Sequence, residues 1–190
     1  MHSQAVTITL TSTQQHLAQI LQLQQLYHIS VQSPQLQQQM GFLTLQHTLP
    51  VLQQMQALQP SVIAMAEGQV VGYALSMPRQ CRHLMPAFDS MFSHADALEY
   101  RQHSLHQLPY YMMGQICVHE SWQGKGIFDA LYRGHRQHFK PAYNYLVTEI
   151  ATRNLRSMRA HQRIGFEVIT IYTDSQDEWA TVIWDWTIDE

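Results

Sequence analysis

Charge is scarce in this 190-residue chain: aspartate, glutamate, lysine and arginine together make up 13% of it. Glutamine takes over much of the polar surface. Cys81 and Cys117 are the two cysteines, too few for a disulfide framework and without metal-ligand spacing. That fits a reducing cytosol. No apolar run reaches the roughly 18 residues a membrane helix needs. The opening MHSQAVTITL lacks the basic start and long apolar core of a secretory leader. A cytoplasmic protein that does not enter a membrane is the expectation. A chain of this length buries about 70% of its unfolded surface without staples, so one domain over residues 1–190 is expected.

What charge there is lies unevenly. Between Lys125 and Arg163 stand eight basic residues and two acidic ones, a balance of +6, while the remainder carries three basic and twelve acidic, or −9. A basic block in an acidic protein points to a small polyanionic ligand at one end. It could equally be a solvated helix face. Extended nucleic acid would need a basic surface overall, so no nucleic-acid partner is expected.

Periodicity orders the chain. Ala5–Leu10 alternates as a strand. A helix follows with Ser12 or Thr13 as N-cap and Leu17, Ile20 and Leu21 at helical spacing. Ser33-Pro34 and Leu49-Pro50 open two shorter helices, reaching about Met40 and Leu58. Ser61–Met77 reads as a hairpin about Glu67-Gly68-Gln69. Residues 78–109 are less regular and contain a helical pattern with Met91, Phe92, Ala95 and Leu98 inward. Beyond them come a strand at Tyr110–Val118, a helix from about Lys125 to Phe139, the strand YLVTEIA, a helix ending at Gly165, and two closing strands. The mixed order argues for one α/β domain on a mixed sheet. The last strand, TVIWDWTI, reads as an edge that could pair across a homodimer.

The stretch HESWQGKGIFDALY places two glycines between a strand and a helix. The first N–H groups of a helix have no internal partner and attract anions. A nucleotide P-loop would need a hydroxyl after the lysine, where Gly126 stands. A dinucleotide turn would need a third glycine where Asp129 stands. A turn that binds nothing is the remaining alternative.

Further residues resolve the choice. The turn reads Gln123-Gly124-Lys125-Gly126-Ile127-Phe128, preceded by QICV. Asn154, His161 and Gly165-Phe166 follow at fixed spacing, and the hairpin AEGQVVGYAL lies upstream. This pattern resembles the GNAT superfamily of acetyl-CoA-dependent N-acetyltransferases over roughly residues 5–185, most strongly from 110 to 170. Two positions depart from it: Phe128 stands where the family has a small residue, and His161 where it has a tyrosine.

The resemblance implies a single GNAT-like α/β domain. Its mixed, largely antiparallel sheet of about six to seven strands would be flanked by helices, with a splay between strands 4 and 5. Residues 78–109 would wall the acceptor site. It implies transfer of an acetyl group from acetyl-CoA to a primary amine of a small molecule or peptide, by direct attack in a ternary complex and without a metal. The cofactor-binding residues it implies are Ile116, Cys117 and Val118 on the fourth strand, Gln123, Gly124, Lys125, Gly126, Ile127 and Phe128 in the turn, and Asn154. Lys125, Arg153 or Arg159 would meet phosphates. A backbone N–H near Cys117 or Val118 would stabilise the oxyanion. His161 would be the general acid. Glu149 is taken as the base, with Glu120, His119 and Glu99 as other candidates. Cys117 as an acetyl carrier, and metal binding by His103 with His106 or His135 with His138, are weaker readings. The alternative function is a non-catalytic acyl-CoA-binding regulatory module.

Overall fold

The hairpin fixes the centre of the sheet. Glu67 and Gly68 both have positive φ, 51° and 73°, as a two-residue turn between twisted strands requires. They join β2 (Val62–Ala66) to β3 (Gln69–Met77). The computed structural model describes residues 5–188. The first four residues, part of the segment read above as not a leader, lie outside the described residues.

Ahead of the hairpin come β1 (Thr7–Leu10), α1 (Gln14–Tyr27), α2 (Pro34–Met40) and α3 (Leu49–Leu58). Thr13 caps α1 by accepting from the His16 amide. The segment after β3 holds α4 (Pro86–Asp96) and a two-rung hairpin of β4 (Glu99–Tyr100) and β5 (His103–Ser104). Then follow β6 (Tyr110–Val118), α5 (Ile127–Phe139), β7 (Tyr145–Ala151), α6 (Leu155–Ile164), β8 (Glu167–Thr173) and β9 (Glu178–Asp185).

Seven strands form one sheet in the order β1-β2-β3-β6-β7-β9-β8. All pairs are antiparallel except β6 with β7. One apolar face is covered by α1, α3 and α4 through Leu17, Ile20, Leu52, Met55, Phe88 and Phe92. The other is covered by α5 and α6 through Ile127, Leu131, Tyr132 and Met158. Gly134 lets α5 sit close to the sheet: a Cβ there would lie 2.8 Å from Val62 Cγ1 and 2.9 Å from Ile8 Cγ2. The strand TVIWDWTI is not an edge. It contributes β9, hydrogen-bonded on both sides, and the edge at this end of the sheet is β8, which exposes Val168 and Ile171.

The parallel pair is the exception that positions the site. β6 and β7 stay in register only from Tyr110↔Tyr145 to Met112↔Val147. Beyond that, Thr148 Oγ1 bonds the Met113 carbonyl at 2.8 Å in place of a ladder rung, and the strands part. This is the expected splay between the fourth and fifth main strands; the small β4–β5 hairpin shifts the numbering.

Candidate active site

A cleft of about 690 Å³ opens over the end of β6. Its floor is Ile116, Cys117 and Val118, one wall is the glycine turn with the start of α5, and the other is α6 with Gln38, Gln39 and Phe42. A second cavity of about 90 Å³ occupies the gap between β6 and β7. Ile116, Phe42, Leu43, Asn154 and Ser157 line both, so the two spaces meet at the strand end.

The turn has the geometry of an anion seat. Gly124 and Gly126 have φ of 70° and 76°, and a Cβ on either would meet nothing within 4 Å. The space before the α5 amides is therefore open. Phe128 does not fill it. Its ring packs edge-on against Tyr132 and His161, with centroids 5.1 and 5.2 Å away, behind the turn. Gln123 ties the turn to the strand: its Nε2 donates to the Val118 carbonyl at 3.0 Å, and its Oε1 accepts from Arg156 at 2.7 Å. The His119 N–H bonds Val71 on β3 at 2.9 Å. Strand alternation then points the amides of Val118 and Ile116 into the gap and that of Cys117 away from it.

The basic residues divide. Arg156, Arg159 and Arg163 line the cleft. Arg163 is paired with Asp129 at 2.6 Å. Arg156 spans from Gln123 to the Gln39 carbonyl, 2.7 Å to each. Lys125 lies over the Trp122 ring, 4.7 Å from its centroid. Arg153 is held by Asp177 at 2.6 Å and does not line the cleft. Arg156, Arg163 and Ser157 were not singled out by sequence reasoning. Helical spacing from Asn154 could have found Ser157, because residues three and four apart share a face.

Asn154 caps α6, its Oδ1 accepting from the Ser157 amide, and its Nδ2 donates to the Phe42 carbonyl at 3.3 Å. Cys117 is buried and its thiol pKa is pushed well up by desolvation, which leaves no thiolate to carry an acetyl group. His135 bonds the Ala74 carbonyl and the Tyr111 hydroxyl, so neither ring nitrogen is free for a metal.

His161 departs from its expected role. It is 2% exposed, and burial lowers its pKa to about 4. The Ser157 carbonyl, 2.8 Å away, can only accept, so Nδ1 carries the proton and Nε2 accepts from the Tyr132 hydroxyl at 2.6 Å. Both nitrogens are thereby engaged, and the one N–H of the neutral ring is committed to the Ser157 carbonyl. Its burial and these two bonds describe His161 as a packed, hydrogen-bonded core residue and weigh against the general-acid expectation.

Glu149, alone of the four candidate bases, lines the gap. Burial is the main cause raising its pKa from 4.5 to about 7; a hydrogen bond from Tyr172 opposes the rise and nearby Asp174 adds to it. Its Oε1 is buried without a partner. A carboxyl poised near neutrality in a cavity suits proton transfer.

The comparisons agree with this geometry. The chain matches the model of the acetyltransferase (GNAT) family over residues 23–166 and belongs to that family. No curated sequence matches it. Among solved structures it is similar to Ard1 of Thermoplasma volcanium, with a TM-score of 0.65, 14% identity, and 95% and 97% of the two chains covered. It is also similar to the ribosomal-protein-S18-alanine N-acetyltransferase of Escherichia coli, with a TM-score of 0.63, 13% identity, and 98% and 97% covered. A third is yncA of Salmonella typhimurium, solved with its cofactor acetyl-CoA, with a TM-score of 0.59, 18% identity, and 96% and 94% covered.

Proposed function

We propose that the protein is an N-acetyltransferase that moves an acetyl group from acetyl-CoA to a primary amine by direct attack in a ternary complex. The observation that carries the reading is the meeting of the two spaces: an open anion seat leads to a strand gap with one buried carboxyl on its far side. The α5 amides at Gly126 to Phe128 would hold the pyrophosphate, and Arg159, which lines the cleft, would meet a phosphate. The amide-bearing arm would pair with the open edge of β6 at Ile116 and Val118.

Glu149 takes the proton from the incoming ammonium. The amine lone pair then attacks the thioester carbon, the N–C bond forms, and the Val118 N–H stabilises the oxyanion. As the oxyanion collapses and the C–S bond breaks, the Ser157 hydroxyl hydrogen-bonds the leaving sulfur, which takes up the second amine proton and departs as the thiol. Ser157 lines both spaces, and its oxygen lies 3.3 Å from His161 Nδ1.

Thiol release from acetyl-CoA across an amine panel tests the reading. Binding without turnover for any amine would leave an acyl-CoA-binding module instead. Acetyl-CoA at 100 times its Kd should add about 2.7 kcal/mol of stability, and no thermal shift would remove the cofactor from the reading.

Two variants probe the parts. Gly126→Val puts a β-branched side chain at φ 76° and a Cβ in the open seat. Acetyl-CoA affinity should fall by at least about tenfold, because the left-handed strain alone is about 1–2 kcal/mol. Unchanged affinity by calorimetry would move the pyrophosphate elsewhere. Ser157→Ala should lower kcat about tenfold with KM for acetyl-CoA little changed, the loss of one hydrogen bond to developing charge. An equal kcat would take the hydroxyl out of the chemistry.

A further inference from the structure

The gap that would receive the amine is narrow, about 90 Å³ between β6 and β7. Much of its lining is apolar: Phe42, Leu43 and Leu45, with Met113 of β6, Ile150 of β7 and Trp179 of β9. Residues 78–109, expected to wall the acceptor, do not line it.

The polar side chains in that lining are largely turned to the protein. Gln115 is bonded at both ends. Its Oε1 accepts from Gln24 Nε2 at 2.7 Å and from the Tyr73 hydroxyl at 2.6 Å, and its Nε2 donates to the Leu45 carbonyl at 2.8 Å. Thr148 gives its hydroxyl proton to the Met113 carbonyl. Asn154 is bonded at both ends, and His161 at both nitrogens. A polar group on the acceptor would lose its water here and find few partners, which costs binding.

Charge is scarcer still. Glu149 is the one charged side chain in the lining; among the described residues no lysine or arginine lines the gap. Arg153 lies over the Phe42 ring, 4.3 Å from its centroid, but is paired with Asp177 at 2.6 Å. Arg156 and Arg159 line the cofactor cleft and not the gap. An ammonium therefore meets a carboxylate, while a carboxylate on the same molecule meets no cation. The narrowness acts in the same direction: a plain methylene beside the nitrogen is admitted more easily than a carbon bearing a substituent.

We propose that the acceptor is a small primary amine on an apolar, unbranched stem, an alkylamine or arylalkylamine, rather than an amino acid or a peptide N-terminus. Apolar contact with Phe42, Leu45, Met113 and Trp179 recognises the stem, and the missing counter-charge rejects an α-carboxylate. The proposal rests on the acetyl-transfer reading for its chemistry, but the selectivity can be read by binding alone.

Compounds that share one ring separate the cases: 2-phenylethylamine, phenylalaninamide (branched and neutral, like a peptide N-terminus) and phenylalanine. With acetyl-CoA and the full chain, kcat/KM for thiol release should fall in that order, by about tenfold at the amide and about a hundredfold or more at the carboxylate. Phenylalanine or phenylalaninamide acetylated as fast as 2-phenylethylamine overturns the proposal, in favour of an amino acid or a chain N-terminus. Thr44→Arg puts a guanidinium in the lining of the gap and should narrow the preference over phenylalanine by about tenfold. An unchanged preference in that variant, with its fold checked by amide spectra, would place the acceptor outside the gap and equally overturn the proposal. If no amine turns over, the acetyl-transfer reading fails, and calorimetric titration into protein saturated with coenzyme A still decides the selectivity. Binding of 2-phenylethylamine about tenfold or more tighter than phenylalanine sustains the proposal, and equal or absent binding overturns it.

Discussion

Lowering the pH from 7 to 5 should remove about 3 kcal/mol of folding stability in total, read by denaturant unfolding at each pH. His47, His135 and His161 are the cause. Burial lowers their pKa values to about 4, 3 and 4, against 6.5 in an exposed chain. The folded state thus binds fewer protons than the unfolded one across this window. Their contribution is complete above pH 6.5 and is lost as pH falls towards 4. Glu149 works the other way: its raised pKa makes the folded state bind one more proton between 4.5 and about 7. Three protons less one leaves two near pH 5, at about 1.4 kcal/mol per proton per pH unit, and the difference shrinks towards zero at pH 7, where the unfolded imidazoles are mostly neutral. His47→Gln should reduce the net uptake to one proton and flatten the profile by half. A stability that is level from pH 7 to 5 would mean that these imidazoles are not held neutral.

Replacing Glu149 by Gln should abolish most turnover and strengthen the fold in the same molecule. Loss of a general base costs about 10²–10⁴ in rate, so kcat/KM for thiol release should fall by that range while acetyl-CoA binding is kept. The stability effect follows from linkage. The folded carboxyl titrates near 7 and the unfolded one near 4.5, so above pH 7 the native state bears the cost of a buried charge. Removing the ionisation should add about 2–3 kcal/mol at pH 8 and nothing at pH 4. A variant with reduced turnover and no gain at pH 8 would place the carboxyl in a wetter setting than the structure gives it.

Local rules carried much of this structure. The alternation in Tyr110–Val118 and YLVTEIA matches β6 and β7, and the caps at Thr13, Ser33 and Gly165 end or begin helices where their chemistry requires. The β4–β5 hairpin escaped notice because its turn has no glycine: Arg101 and Gln102 take positive φ themselves, at 49° and 67°. The edge was misplaced for a related reason. Strand order is a tertiary property, although the fully buried run from Ala180 to Asp185 already had the character of an interior strand.

The site was half legible. Glycines and spacing marked the turn, but the state of His161 depends on Tyr132, 29 residues away in sequence, and on complete burial. A reference pKa of about 6.5 says nothing of either. Phe128 has its explanation in the same place, since its ring covers the face of His161 that a smaller residue would leave bare.

Only three rungs join β6 to β7, and they are the seam between two half-sheets, β1-β2-β3-β6 on one side and β7-β9-β8 on the other. The protein is folded around an incomplete parallel pair. A ligand that hydrogen-bonds along the open edge of β6 acts as the missing length of strand. Part of its binding energy is then fold energy, and the free protein is softest along the line where its chemistry takes place.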